Sequence, residues 1–126
     1  MKGIILVGLL LVLLLGAALG GYFYLAHGCA ALAAEVSGVN QALQRQDWGR
    51  AGDLLDRATA RWEGVHGYWS VLVDHEIMRD IEIGFVDLAV AVEKQDLFEA
   101  CKEAEQLVFY VEHVAESERP EVENLL

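Results

Sequence analysis

The sequence predicts an all-α chain, with an N-terminal transmembrane helix followed by a small four-helix array of two helical hairpins. Three observations carry that reading. Residues 3–26 form an uncharged, Leu-rich run. Beyond it, apolar residues recur at spacings of three and four, and no segment alternates as a half-buried strand would. Finally, Arg45-Gln46-Asp47-Trp48 is answered forty-nine residues later by Lys94-Gln95-Asp96-Leu97, with Ala51 then aligned on Ala100. The chain divides into an anchor at 1–26, a helical domain at 27–116 and an acidic tail at 117–126.

At about 1.5 Å per residue, the run from Gly3 to Ala26 reaches roughly 36 Å, enough to cross a hydrocarbon core of about 30 Å. Its length exceeds the apolar core of a secretory signal peptide, and Tyr22 and Tyr24 suit an interfacial aromatic belt, so an uncleaved anchor explains it best. Two alternatives stand beside it. Ala31-Leu32-Ala33 has the shape of a late cleavage site, which would release a secreted domain. Cys29 would carry lipid in a lipoprotein, although His27 and the displaced Leu25 fit that pattern poorly. Lys2 is the only cation before Arg45, so the expected topology has a cytoplasmic N-terminus and an extracytoplasmic C-terminal domain at the cell membrane.

The first soluble helix carries Leu25, Cys29, Leu32, Val36, Val39 and Leu43 as one stripe, running out of the anchor without a break. Gly20, Gly21 and Gly28 are the places for a kink. Asp47 is the N-cap of the next helix, whose buried face is Ala51, Leu55, Ala58, Trp62 and Val65. Gly64 and Gly67 interrupt that pattern. A long helix is then expected from Tyr68 to Lys94, with Ile77, Met78, Ile81, Phe85, Leu88 and Val92 on one side. Leu72, Ile83, Val86 and Val90 occupy a second side, which predicts a central helix contacted by neighbours on both. The last helix starts at Asp96, with Glu99 completing a capping-box pattern. Leu97, Ala100, Cys101, Ala104, Leu107, Val108, Val111 and Val114 form its stripe. Each unit of the repeat is thus a helix, an Asp-capped turn and a returning helix.

Charge and composition narrow the function classes. The chain has nine Lys and Arg against twenty Asp and Glu, a formal net charge of −11. Such a surface is repelled by phosphate backbones, which argues against a nucleic-acid partner. Two cysteines are too few for a disulfide framework, and Cys101 reads as a small buried hydrophobe. No catalytic nucleophile arrangement or phosphate-binding loop is readable, and no cofactor is implied.

The most unusual local sequence is Trp69-Ser70-Val71-Leu72-Val73-Asp74-His75-Glu76, continuing to Asp80-Ile81-Glu82. Asp74 shares a helical face with Met78, Ile81 and Phe85, which predicts an inward carboxylate. A buried carboxylate requires a partner, for which Trp62, Trp69, Arg57, Arg61 and His113 are candidates. Asp74, His75, Glu76, Asp80, Glu82 and His113 are therefore the candidate polar cluster, structural in the main reading. In the sharper reading, Asp74, His75, Glu76, Glu82, Glu112 and His113 form a metal or acid/base site. Two motifs fall short of it: His75-Glu76-Ile77-Met78-Arg79 has Arg where a zinc protease needs its second His, and Glu63-Gly64-Val65-His66 stands alone where diiron bundles need two copies. Trp48, Trp62, Tyr68 and Trp69 are expected to fill the core and the inter-helix joint; a sugar or peptide groove is the competing use.

Taken together, the N-terminal apolar helix, Gln46-Asp47-Trp48, Trp62, Tyr68-Trp69, Val73-Asp74-His75-Glu76, Asp80-Ile81-Glu82, Val111-Glu112-His113-Val114 and the tail Asn124-Leu125-Leu126 carry a likeness. The chain resembles the bacterial domain of unknown function 4363 family over essentially its whole length. The resemblance implies small single-pass or exported proteins of Gram-positive and related bacteria, without an established activity. Gly49, Gly52 and the Ala-rich juxtamembrane stretch depart from the family and are expected to loosen the first hairpin. The expected function is a non-enzymatic, membrane-anchored module for protein interaction or envelope scaffolding. A metal- or ligand-sensing envelope domain using Asp74 and His75 is the alternative.

Overall fold

A computed structural model describes residues 1–117 as four helices: α1 (Lys2–Gln44), α2 (Trp48–Leu72), α3 (His75–Glu93) and α4 (Leu97–Ser117). The tail from 118 onward lies outside the described residues, and α4 runs one residue past the expected end of the domain. α1 is continuous through Gly20, Gly21 and Gly28. It is exposed or half-exposed until Leu25, its first buried residue, and from there it supplies Cys29, Leu32, Val36, Val39 and Leu43 to the core. The apolar segment and the first bundle helix are one rod.

The hairpins close on each other as an up-down-up-down bundle, not as a stacked solenoid. α1 packs on α2 and α4, and α3 packs on α4 and, least extensively, on α2. Among the described residues the backbones of the diagonal pairs make no close approach. Small residues set the close approaches. A Cβ on Gly28 would sit 3.1 Å from Cζ2 of Trp69, and one on Gly84 would sit 2.9 Å from Cδ1 of Leu107. Gly49 and Gly52 lie in the first turns of α2, which is unbroken through both.

The forty-nine-residue repeat is realised atom by atom at the turns. Gln46 and Gln95 both take the left-handed conformation, with φ of 56° and 54°. The amide of Asp47 donates to the carbonyl of Ala42 and that of Asp96 to Ala91, both at 3.0 Å, closing the same C-terminal cap on α1 and α3. The carboxylates of Asp47 and Asp96 then accept from the amides of Arg50 and Glu99, both at 3.1 Å. The Glu99 carboxylate turns to Lys102 instead, so only half of the expected capping box forms. The offset also carries buried residues onto buried residues: Leu32 onto Ile81, Val36 onto Phe85, Ala58 onto Leu107, and Trp62 onto Val111.

Two sequence expectations are corrected. The second inter-helix joint lies at Val73-Asp74, not at Gly64-Gly67: α2 continues through both glycines, and no helix runs from Tyr68 to Lys94. Neither glycine meets a neighbouring atom, so the cost of keeping them helical is only their own conformational entropy, about 1 kcal/mol each relative to Ala. Tertiary packing of Trp62 and Trp69 on either side outweighs that. Likewise α3 has one buried face, not two. Leu72, Ile83, Val86 and Val90 are all exposed, because a bundle of four helices leaves each helix an outer side.

Candidate functional site

Asp74 is the N-cap of α3, exposed, and its Oδ1 accepts from the amide of Glu76 at 3.1 Å. It does not point inward. The helical face it shares with Met78, Ile81 and Phe85 exists only if the helix continues through residue 74; because the chain turns there, the carboxylate leaves the core and satisfies a free helix-end amide. His75, Glu76 and Asp80 are exposed on the first turns of α3.

The carboxylate that meets an indole is Glu82, whose Oε2 accepts from Nε1 of Trp62 in a partly buried bond between α3 and α2. Trp62 is the hub of the aromatic core. It stacks on Phe85, with centroids 5.9 Å apart and planes 21° from parallel, and meets Trp69 edge-on at 5.9 Å and His66 edge-on at 5.3 Å. Trp62 and Trp69 are buried, Trp48 is half-buried, and Tyr68 is exposed with its ring edge-on to Tyr24 on α1 at 5.1 Å. Arg61, one suggested partner for Asp74, pairs instead with Glu35 of α1 at 2.8 Å. His113, another, stacks on Phe109 at 5.4 Å.

The candidate polar residues are therefore dispersed. Asp74, His75 and Glu76 form the turn into α3, Glu82 faces α2 one helical stretch further on, and His113 lies beside Phe109 on α4. Glu112 borders a shallow recess against Ala30, Ala33 and Ala34 of α1. Among the described residues, no group of three or more His, Cys, Asp or Glu is placed to hold a metal ion. Cys29 is buried in the core and Cys101 half-buried beside it, neither in a disulfide. Burial, and then the nearby Glu105 charge, push the Cys101 thiol above its usual range, which disfavours its reactive thiolate.

Two further surface features stand out, of which only the first was not singled out in the sequence. One is a pair of equivalent recesses at the bundle end farthest from the apolar segment, one on each Asp-capped turn. The first is bordered by Gln41, Arg45, Asp47, Arg50 and Leu54, and the second by Val90, Lys94, Asp96, Glu99 and Glu103. Divergence of the repeat has made one recess mildly basic and the other acidic. Partial burial raises the Glu103 carboxyl above its usual range; Asp87 and Glu99 add to the effect, while Lys102 opposes it. The forty-nine-residue offset was the signal that would have found them. The other feature is the outer face of α3, where Ile83, Val86 and Val90 stand at i, i+3 and i+7 with 50%, 56% and 43% of their surface exposed.

Comparison with known proteins gives a family and no activity. No curated protein and no solved structure provides a match. The family described as domain of unknown function (DUF4363) matches residues 19–125, which takes in the upper part of α1, the other three helices and the tail; the chain belongs to that family.

Proposed function

We propose that this protein is a membrane-tethered helical bundle that works by docking another protein and not by catalysis. The observation that carries the reading is the aliphatic stripe Ile83, Val86 and Val90 on the outer face of α3. Three exposed aliphatics at helical spacing form one apolar stripe, and a partner helix or groove covers such a face by the ordinary i, i+3, i+7 contacts. Supporting the tether, α1 is long and apolar enough to cross a membrane, and its most apolar stretch is not buried by the bundle. Cys29 lies inside the bundle, which favours the uncleaved anchor over lipid attachment at that thiol. With Lys2 as the only early cation, the bundle stands on the extracytoplasmic side.

The test is site-specific photocrosslinking in native membranes. A photoreactive residue at Val86 should yield one discrete adduct that Ile83→Glu or Val90→Glu abolishes, with the melting temperature of the bundle unchanged. The same probe at Asp53, on the exposed side of α2, should yield none. Equal labelling at both positions, or none at Val86, would reject the docking face.

A further inference from the structure

The turn between α2 and α3 bears a second apolar surface, and its height along α1 assigns its occupant. Tyr68, Val71 and Leu72 are 47%, 83% and 41% exposed at the end of α2. Beside them on α1, Phe23 and Tyr24 are 66% and 60% exposed. The Tyr68 hydroxyl lies 3.9 Å from the place a Cβ on Gly21 would occupy, and Leu72 shares a recess with Ala17, Ala18, Gly21 and Tyr22. The end of α2 therefore reaches down beside the apolar segment.

Length decides what surrounds it. From Gly3 to Ala17, α1 rises only about 21 Å, whereas the hydrocarbon core is about 30 Å thick. Tilting the helix lengthens the requirement. Filling the core takes about twenty residues, to near Tyr22, which includes the level at which Leu72 meets α1. We propose that the α2–α3 turn enters the membrane surface, with Val71 and Leu72 in the outer edge of the acyl region and Tyr22, Tyr24 and Tyr68 at the headgroup level. This rests on the reading of α1 as a membrane anchor. Tyrosine suits that level because its ring is apolar and its hydroxyl remains hydrated. Asp74 and Glu76 follow immediately, and capping of the α3 amide by Asp74 holds the charge where the chain turns back toward water. The bundle is thus seated on the bilayer at two places, the anchor and this turn.

Spin labels at Val71→Cys, Val12→Cys and Asp56→Cys test the seating, each in the full-length chain carrying Cys101→Ser, with Cys29 buried. In phosphatidylcholine vesicles, collision with oxygen reports lipid and collision with a water-soluble nickel chelate reports solvent. The ratio of oxygen to nickel accessibility at residues 71 and 12 should exceed that at 56 several-fold. A lipid-like ratio at 12 with a water-like ratio at 71 would overturn the seated turn and leave the anchor standing. A water-like ratio at 12 would overturn the anchor itself and the seating with it. A label at 71 shielded from both reagents would mean that a second copy of the chain covers the turn, and would also reject lipid as the occupant.

Discussion

Single residues hold the joints of this bundle, and Asp74 shows how. Its carboxylate serves as a helix cap, a role that needs a hydrogen-bond acceptor and not a charge. Asp74→Asn should therefore leave thermal stability nearly unchanged, while Asp74→Ala should lower it by about 0.5–2 kcal/mol in chemical denaturation. Equal losses in the two variants would return the residue to a charge-dependent role. The Trp62–Glu82 bond is different in kind, because a carboxylate accepts from an indole in a partly buried place between two helices. Trp62→Phe and Glu82→Leu should each remove the bond and destabilise. Their double-mutant cycle should show a coupling of about 1 kcal/mol, whereas additive losses would make the bond incidental.

At the scale of elements, α2 is the helix most compromised by its own sequence. Gly64 and Gly67 have open space around them in the middle of a regular helix. Gly64→Ala and Gly67→Ala should each stabilise the protein by about 0.5–1 kcal/mol, read as raised melting temperatures that add in the double variant. Loss of stability would place an unseen neighbour at those positions. The same two glycines misdirected the sequence reading. They look like a helix end, and Asp74 looks like a core position because Met78, Ile81 and Phe85 continue its period. The cap rule that correctly located Asp47 and Asp96 applies equally to Asp74, followed by the acidic first-turn residue Glu76, but those two turns are marked a second time by the repeat, and Asp74 has no such copy. Four helices, the unbroken α1, the buried stripes and the repeat were legible, since burial follows a strict period. The wide separation of Glu82, Asp74 and His113 was not, because it depends on which way each helix is rotated in the bundle. Local spacing leaves that rotation open.

For the whole molecule, the repeat explains both the fold and its asymmetry. Two copies of one hairpin share their turn geometry and buried positions, while the surface around the turns has diverged in charge. Because the folded state raises the Glu103 carboxyl above its ordinary value of 4.5, the folded chain holds that proton more tightly than the unfolded chain. The associated stability is present below pH 4.5 and is lost as pH rises through the higher folded value. Glu103→Gln should therefore melt higher than the parent at neutral pH, and the gap should close as the pH falls below the ordinary glutamate range. A gap that stayed constant from neutral pH to pH 4 would show that Glu103 is not the group responsible.

The unbroken course of α1 from Lys2 to Gln44 has a mechanical consequence. With no swivel between the apolar segment and the bundle, the part of the rod from Leu25 to Gln44 is a lever arm of roughly 30 Å. With residues 3–26 as the proposed membrane anchor, any adjustment of that segment's inclination to a thicker or thinner bilayer is carried outward undiminished. A change of about 10° displaces the far turns by about 5 Å. On that reading, whatever meets those turns feels the thickness of the lipid in which the other end is planted.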